Sequence, residues 1–111
     1  MNKRKDAKMA KSKSRYVIVR SNMGVHAGEL NEKESTNEMK VLHKVRRLWR
    51  WYSPGAGLSE IAIEGPVKHS ECKFSPPVDR TELTSPTNGF EILDVTLSAR
   101  KIIEGVPSWR S

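Results

Sequence analysis

Apolar and polar residues alternate with a period near two over much of the chain. Tyr16-Val17-Ile18-Val19-Arg20 is β-branched and aromatic and predicts a first strand. Ser21-Asn22-Met23-Gly24 supplies turn chemistry, and Val25–Leu30 predicts a second strand antiparallel to the first. Gly28 inside that strand points to a bulge or a close backbone approach. Residues 31–37 are polar and predict a loop, and Glu38–His43 alternates weakly as a third strand.

Val45-Arg46-Arg47-Leu48-Trp49-Arg50-Trp51-Tyr52 follows. Helical spacing would align Leu42, Val45, Trp49 and Tyr52. Strand spacing would put Val45, Arg47, Trp49 and Trp51 on one face and Arg46, Leu48 and Arg50 on the other. The preferred reading is a short turn at 44–46 and then a strand through Tyr52. Pro54-Gly55-Ala56-Gly57 breaks the chain and could approach a ligand closely, but no Gly-Lys-Ser/Thr follows as in a nucleoside-triphosphate loop.

Leu58–Glu64 predicts a short helix closed by Gly65-Pro66, although Ile61 and Ile63 also fit a strand. Residues 72–75 and 81–84 predict short strands, the first stopped by Pro76-Pro77. Ser85–Gly89 is a turn, Phe90–Val95 a half-buried strand, and Thr96 caps a helix over 97–104 closed by Gly105. Trp109 is expected to pack back on the sheet. These elements define an α+β domain. A strongly bent antiparallel sheet of about five to six short strands carries two short helices.

Charge changes the picture only once it is placed. The net charge of +7 divides very unevenly. Residues 1–15 hold seven basic side chains against Asp6, leaving +6, while residues 16–111 hold 13 basic and 12 acidic side chains. The expected organisation is a disordered basic arm over residues 1–15 and a single, nearly neutral domain over 16–111. A neutral domain argues against a duplex-DNA surface, which needs charge spread over a face. No apolar run approaches a membrane span, and the N-terminus lacks an apolar signal core, so a cytoplasmic, membrane-independent protein is expected.

The candidate chemistry is binding, not reaction. His26, His43, His69 and Cys72 are the only soft ligands, and His69-x-x-Cys72 lacks a second pair, so neither a metal nor a cofactor is expected. No base–nucleophile–orienter set can be assembled around Cys72 or Ser59, so no enzyme and no catalytic residue is expected. Arg46, Arg47 and Arg50 suit phosphate, with Arg20 as a further holder, and Trp49 and Trp51 suit stacking on a base. His26 and Ser59 are supporting candidates. The competing reading makes both tryptophans core and the arginines solvated or paired.

The segments Tyr16–Arg20, Gly24–Leu30, Arg46–Trp51, Leu58–Gly65, Cys72–Ser75 and the Val-Pro-Ser-Trp ending together resemble a phage and prophage family of small domains of unknown function. The resemblance covers about residues 16–109. That family is similar to the phage sponges that counter Thoeris immunity. The resemblance implies a homo-oligomer that binds a cyclic ADP-ribose signal without degrading it. Two stretches depart from the family pattern: Ser85–Gly89, where relatives run more directly into the next strand, and His43-Lys44-Val45 in place of Asn-Ala. The small-nucleotide sponge is therefore the leading expectation. A nucleic-acid-binding protein using the basic arm and the Arg/Trp strand is the alternative, with weak nucleic-acid contact through residues 1–15. A structural or protein-interaction module is the third.

Overall fold

The computed structural model describes residues 14–109 apart from Ala56 and Pro86. Of the arm expected over 1–15, residues 1–13 lie outside the described residues, while Ser14 and Arg15 open the first strand. Strand β1 (Ser14–Ser21) turns at Asn22-Met23 into β2 (Gly24–Asn31), and β2 pairs with the long β3 (Met39–Arg50). Helix α1 (Leu58–Glu64) and a 3-10 turn (His69–Glu71) follow, then β4 (Lys73–Phe74), β5 (Val78–Thr84), β6 (Glu91–Asp94) and α2 (Leu97–Gly105). The expected α+β class holds, with a six-stranded antiparallel sheet that is not closed and two helices.

The sheet runs β4–β3–β2–β1–β6, and β5 shares with β4 the outer edge of β3. Pro76-Pro77 separates the two, as prolines that cannot donate to a ladder should. Its two faces are buried differently. Tyr16, Ile18, Val25, Ala27, Leu48 and Phe74 form one core with Ile61 and Ala62 of α1 and Ile103 of α2. Val17, Val19, Leu30, Leu42, Val45 and Leu83 form a second core on the helix-free face, with Phe90 and Ile92 packed against it. A face without helices buries such residues fully only if the sheet curls over it. The turn after β5 does this, carrying the chain from the β3 edge to the β1 edge. Ser85 Oγ accepts the Asn22 amide there at 3.3 Å.

Three local details position the site. β3 does not turn at 44–46, as the sequence suggested, but continues through a bulge in which Lys44 takes φ +51°. The bulge does what a turn was expected to do, changing which side chains face which side, without ending the strand. Gly28 lies opposite. A Cβ there would stand 3.0 Å from the His43 carbonyl oxygen and from Val45 Cα, so the close approach expected of this glycine is real. β3 also ends at Arg50 and not at Tyr52, and Trp51 and Tyr52 turn in against the helix-side core.

The helices follow from their caps. Thr96 Oγ1 accepts from the Ala99 amide and donates to the Ile63 carbonyl, so one side chain caps α2 and ties it to α1. Gly65 ends α1 at φ +84°, and a Cβ there would sit 3.0 Å from the Ile102 side chain.

Candidate functional site

Strand alternation divides the Arg/Trp stretch between the two faces. Arg46 and Leu48 point to the helices, while Arg47 and Trp49 point to the other side. On that side they meet His26, which pairs directly with Arg47 across the β2–β3 ladder. Val45, Ser75, Val78 and Thr81 complete a hollow of about 260 Å³.

The polar groups of this hollow are held but not consumed. Arg47 is exposed and donates from Nη2 to the Met23 carbonyl at 2.6 Å, which fixes the guanidinium beside the β1–β2 turn. Its backbone amide donates to Ser75 Oγ at 2.8 Å, and its carbonyl accepts from the Ser75 amide. His26 is 6% exposed, and its Nδ1 is buried without a partner among the described residues. Burial first, and then the Arg47 charge, lowers the His26 pKa to about 4. The imidazole is therefore neutral at physiological pH and retains both a donor and an acceptor.

Trp49 is 51% exposed and supplies the flat wall. Trp109 stands against it edge-on, with ring centroids 5.8 Å apart, and Lys73 Nζ lies 4.8 Å from the Trp109 ring centroid. The Trp109 amide donates to the Phe74 carbonyl at 2.9 Å, so Trp109 does pack back on the sheet as expected. The arrangement is an exposed indole beside a fixed guanidinium, a neutral imidazole and a nearby ammonium. These groups can stack on a planar ring and hydrogen-bond an anion attached to it.

Of the residues singled out from sequence, His26, Arg47 and Trp49 come together. The others lie elsewhere. Arg46 is 3% exposed on the opposite face, where Nε donates to the Ser75 carbonyl at 2.7 Å and Nη1 to the Ile103 carbonyl at 2.8 Å. It ties the last turn of α2 to the sheet. Arg20 pairs with Glu91 at 3.2 Å, and Arg50 with Glu71 at 3.3 Å. Trp51 is half-buried against the helix-side core, and Ser59 is exposed on α1. The 54–57 loop, which the sequence suggested could approach a ligand closely, joins Tyr52 to Leu58, both packed on the helix-side core. None of its described residues lines the hollow, and the Gly55 amide is held by Glu60.

Sequence reading gave no role at the site to Lys73, Ser75, Thr81 or Trp109. The pairing of β4 and β5 with one edge of β3, and of Trp109 with Phe74, brings them there, and no spacing in the sequence signals it. Burial raises the Cys72 pKa, which disfavours a reactive thiolate. Among the described residues, no group of three or more histidine, cysteine or acidic side chains is placed to hold a metal, and no helix is long and apolar enough to cross a membrane.

A small α+β domain with an open six-stranded sheet and a hollow on its helix-free face is the class that the fold defines. Residues 14–103 match the profile of DUF6948, a domain of unknown function, and the chain belongs to that family. No curated protein and no solved structure matches it.

Proposed function

We propose that this protein captures a small nucleotide without transforming it. The observation that carries the reading is the cross-strand set His26, Arg47 and Trp49, with half of the Trp49 surface open to ligand. Trp49 stacks on the base, Arg47 holds a phosphate, and His26 hydrogen-bonds a ribose or base edge. A hollow of about 260 Å³ takes a base and its sugar. A second phosphate then reaches towards Lys73, beside the Trp49–Trp109 pair. This suits a compact two-phosphate ligand of the cyclic ADP-ribose type. The reading extends to a phage-encoded, homo-oligomeric sponge that lowers the level of such a signal in the host cytoplasm. Motif resemblance supports that extension.

Isothermal titration with cyclic ADP-ribose isomers tests it. Saturable heat is expected from the folded protein, and Trp49→Ala should weaken binding by roughly 1–3 kcal/mol, the usual worth of a stacked base. Intact ligand should be recovered afterwards. A titration without heat, or one unchanged by Trp49→Ala, would overturn the reading.

The two exposed indoles, Trp49 and Trp109, favour a second reading in which single-stranded nucleic acid stacks along them. That reading expects steep salt dependence and loss of binding on removal of residues 1–13, a cut that leaves β1 whole. A nucleotide sponge should tolerate the same truncation.

A further inference from the structure

Strand β5 is an edge. Among the described residues it pairs with β3 and with no other strand, so one side of its backbone has no ladder. An unpaired edge is a template for another strand. Neighbouring hydrogen bonds show which groups face outwards. The Thr84 amide donates to the Met23 sulfur at 3.3 Å instead of to its cross-strand partner Met39, whose carbonyl accepts from Thr36. The amide of Val41, which stands opposite Glu82, is likewise taken by Ser35 Oγ. Alternation along the ladder therefore turns the backbone N–H and C=O groups of Arg80 and Glu82 away from β3, and those of Thr81 and Leu83 towards it.

The side chains make this edge complementary to itself. Arg80 and Glu82 are exposed and form an ion pair at 2.7 Å on one face of the strand. A second β5 laid antiparallel along the outer side must match outward-facing groups with outward-facing groups. Registers centred on Asp79, Arg80 or Glu82 would set a charge against its own copy, which is destabilising. With Thr81 on the two-fold axis, Arg80 would stand opposite Glu82 of the second copy, and Glu82 opposite its Arg80. Each such pair exchanges both backbone hydrogen bonds and joins opposite charges. Arg80 would then lie among carboxylates: its own Glu82, Glu34 at 3.6 Å and the second copy's Glu82. Asp79, the remaining charge of the strand, would fall opposite Leu83 and meet no like charge. The ends of the edge also fit, because the exposed Val78 would fall opposite Thr84, beside the exposed Met23. The opposite edge lacks this property. Strand β6 has four residues with an acid at each end, and the same two-fold pairing would set Glu91 against Asp94.

We propose that β5 is a homodimer interface: two copies of the chain join their sheets edge to edge and antiparallel, with Thr81 on the two-fold axis. This gives the homo-oligomer of the proposed function a defined contact, but it rests on the edge alone and not on nucleotide binding. Val78 and Thr81 border the Trp49 hollow as well, so the two proposals are told apart by a readout that needs no nucleotide.

Light scattering and amide exchange of the full-length chain supply that readout. A dimer is expected at about 100 μM that dissociates towards about 1 μM, the range of a small interface. In the dimer the Arg80 and Glu82 amides should exchange at least about tenfold more slowly than in the dilute monomer. The Thr81 and Leu83 amides already face β3 and should not change. Arg80→Glu and Glu82→Arg alter exposed side chains, so both variants should fold, and each alone should be monomeric at the higher concentration. Mixed in equal amounts they should dimerise again, because every position then meets the opposite charge. A wild-type chain that stays monomeric at the higher concentration overturns the proposal. So does a dimer that survives in both variants, which would place the contact elsewhere, or a mixture of the two that stays monomeric. Arg80 and Glu82 amides that exchange equally fast at both concentrations overturn it as well. Failure of either proposal leaves the other standing.

Discussion

Arg46 and Arg47 are adjacent and chemically identical, yet they belong to different parts of the molecule. Arg46 is buried, and its guanidinium holds the end of α2 through the Ile103 carbonyl. Arg47 is exposed beside His26 and Trp49 on the other face. The difference arises from one residue of strand phase, set by the Lys44 bulge and kept in register by Gly28. A cluster of arginines in a strand is therefore two half-clusters, of which only one can face a ligand. The helix-side half is a fastening for a helix C-terminus, where carbonyls carry partial negative charge and attract a cation. The open half keeps a single anchored hydrogen bond and leaves its remaining donors to solvent or ligand.

The largest effect expected from this contrast is on stability. Arg46→Ala removes two short charge-assisted hydrogen bonds, takes from the buried Ser75 carbonyl its Arg46 partner and leaves the Ile103 carbonyl only the Val106 amide at 3.3 Å. A loss of about 3 kcal/mol follows, measured as a lower urea midpoint. A loss below about 1 kcal/mol would mean that the two arginines do not differ as described.

A similar magnitude is expected for acid, through His26. Its pKa is lowered to about 4 in the folded protein, against 6.5 ordinarily. Between these values the unfolded chain binds a proton that the folded chain refuses, so stability falls as pH drops from about 6.5 to about 4. The full contribution is roughly 3 kcal/mol, since each unit is worth about 1.4. Denaturation midpoints of the protein and of His26→Gln, compared across that window, should converge towards acid pH. Parallel curves would show that His26 is not held neutral.

Gly28→Ala tests the register itself. Its Cβ would meet backbone atoms of β3 at 3.0 Å, which cannot rotate away. A cost of about 2 kcal/mol is expected from overpacking, with a shifted bulge reported by the amide resonances of 43–46. A neutral substitution would show that another feature sets the phase separating Arg46 from Arg47.

Much of this fold was legible in the sequence because its signals are local. Period-two alternation marked β1 and β2, the Thr96 and Gly65 caps bounded the helices, and Gly28 declared a close approach. The site was legible only in part. His26, Arg47 and Trp49 lie on strands whose pairing could be guessed, so they were found together. Arg46 was grouped with them by residue type, although alternation already put it on the opposite face from Arg47, and Trp51 by an alternation that stops applying because β3 ends one residue before it. Lys73, Ser75 and Trp109 reach the site through pairing at the β3 edge and at the chain end. Long-range contacts of this kind leave no trace in spacing. The 54–57 loop misled for a different reason. Glycine and proline report freedom of backbone, which does not say towards which face a loop folds.

The smallest stability effect should come from Arg47→Ala, and it sharpens the contrast most. An exposed arginine with one backbone contact should change the urea midpoint by no more than about 0.5 kcal/mol. Nucleotide affinity should nevertheless fall roughly 10- to 100-fold, as expected when a charge-assisted hydrogen bond to phosphate is lost. The imidazole provides an independent reading. Arg47 opposes protonation of His26, so its removal should raise the His26 pKa from about 4, though burial keeps it below 6.5. Proton NMR titration of the His26 ring would show that rise without any ligand present. A midpoint, an affinity and a ring pKa that move in this pattern place Arg47 at the open site. A large stability loss with an unmoved His26 would instead make Arg47 a structural residue like Arg46, and the hollow would lose its anion holder.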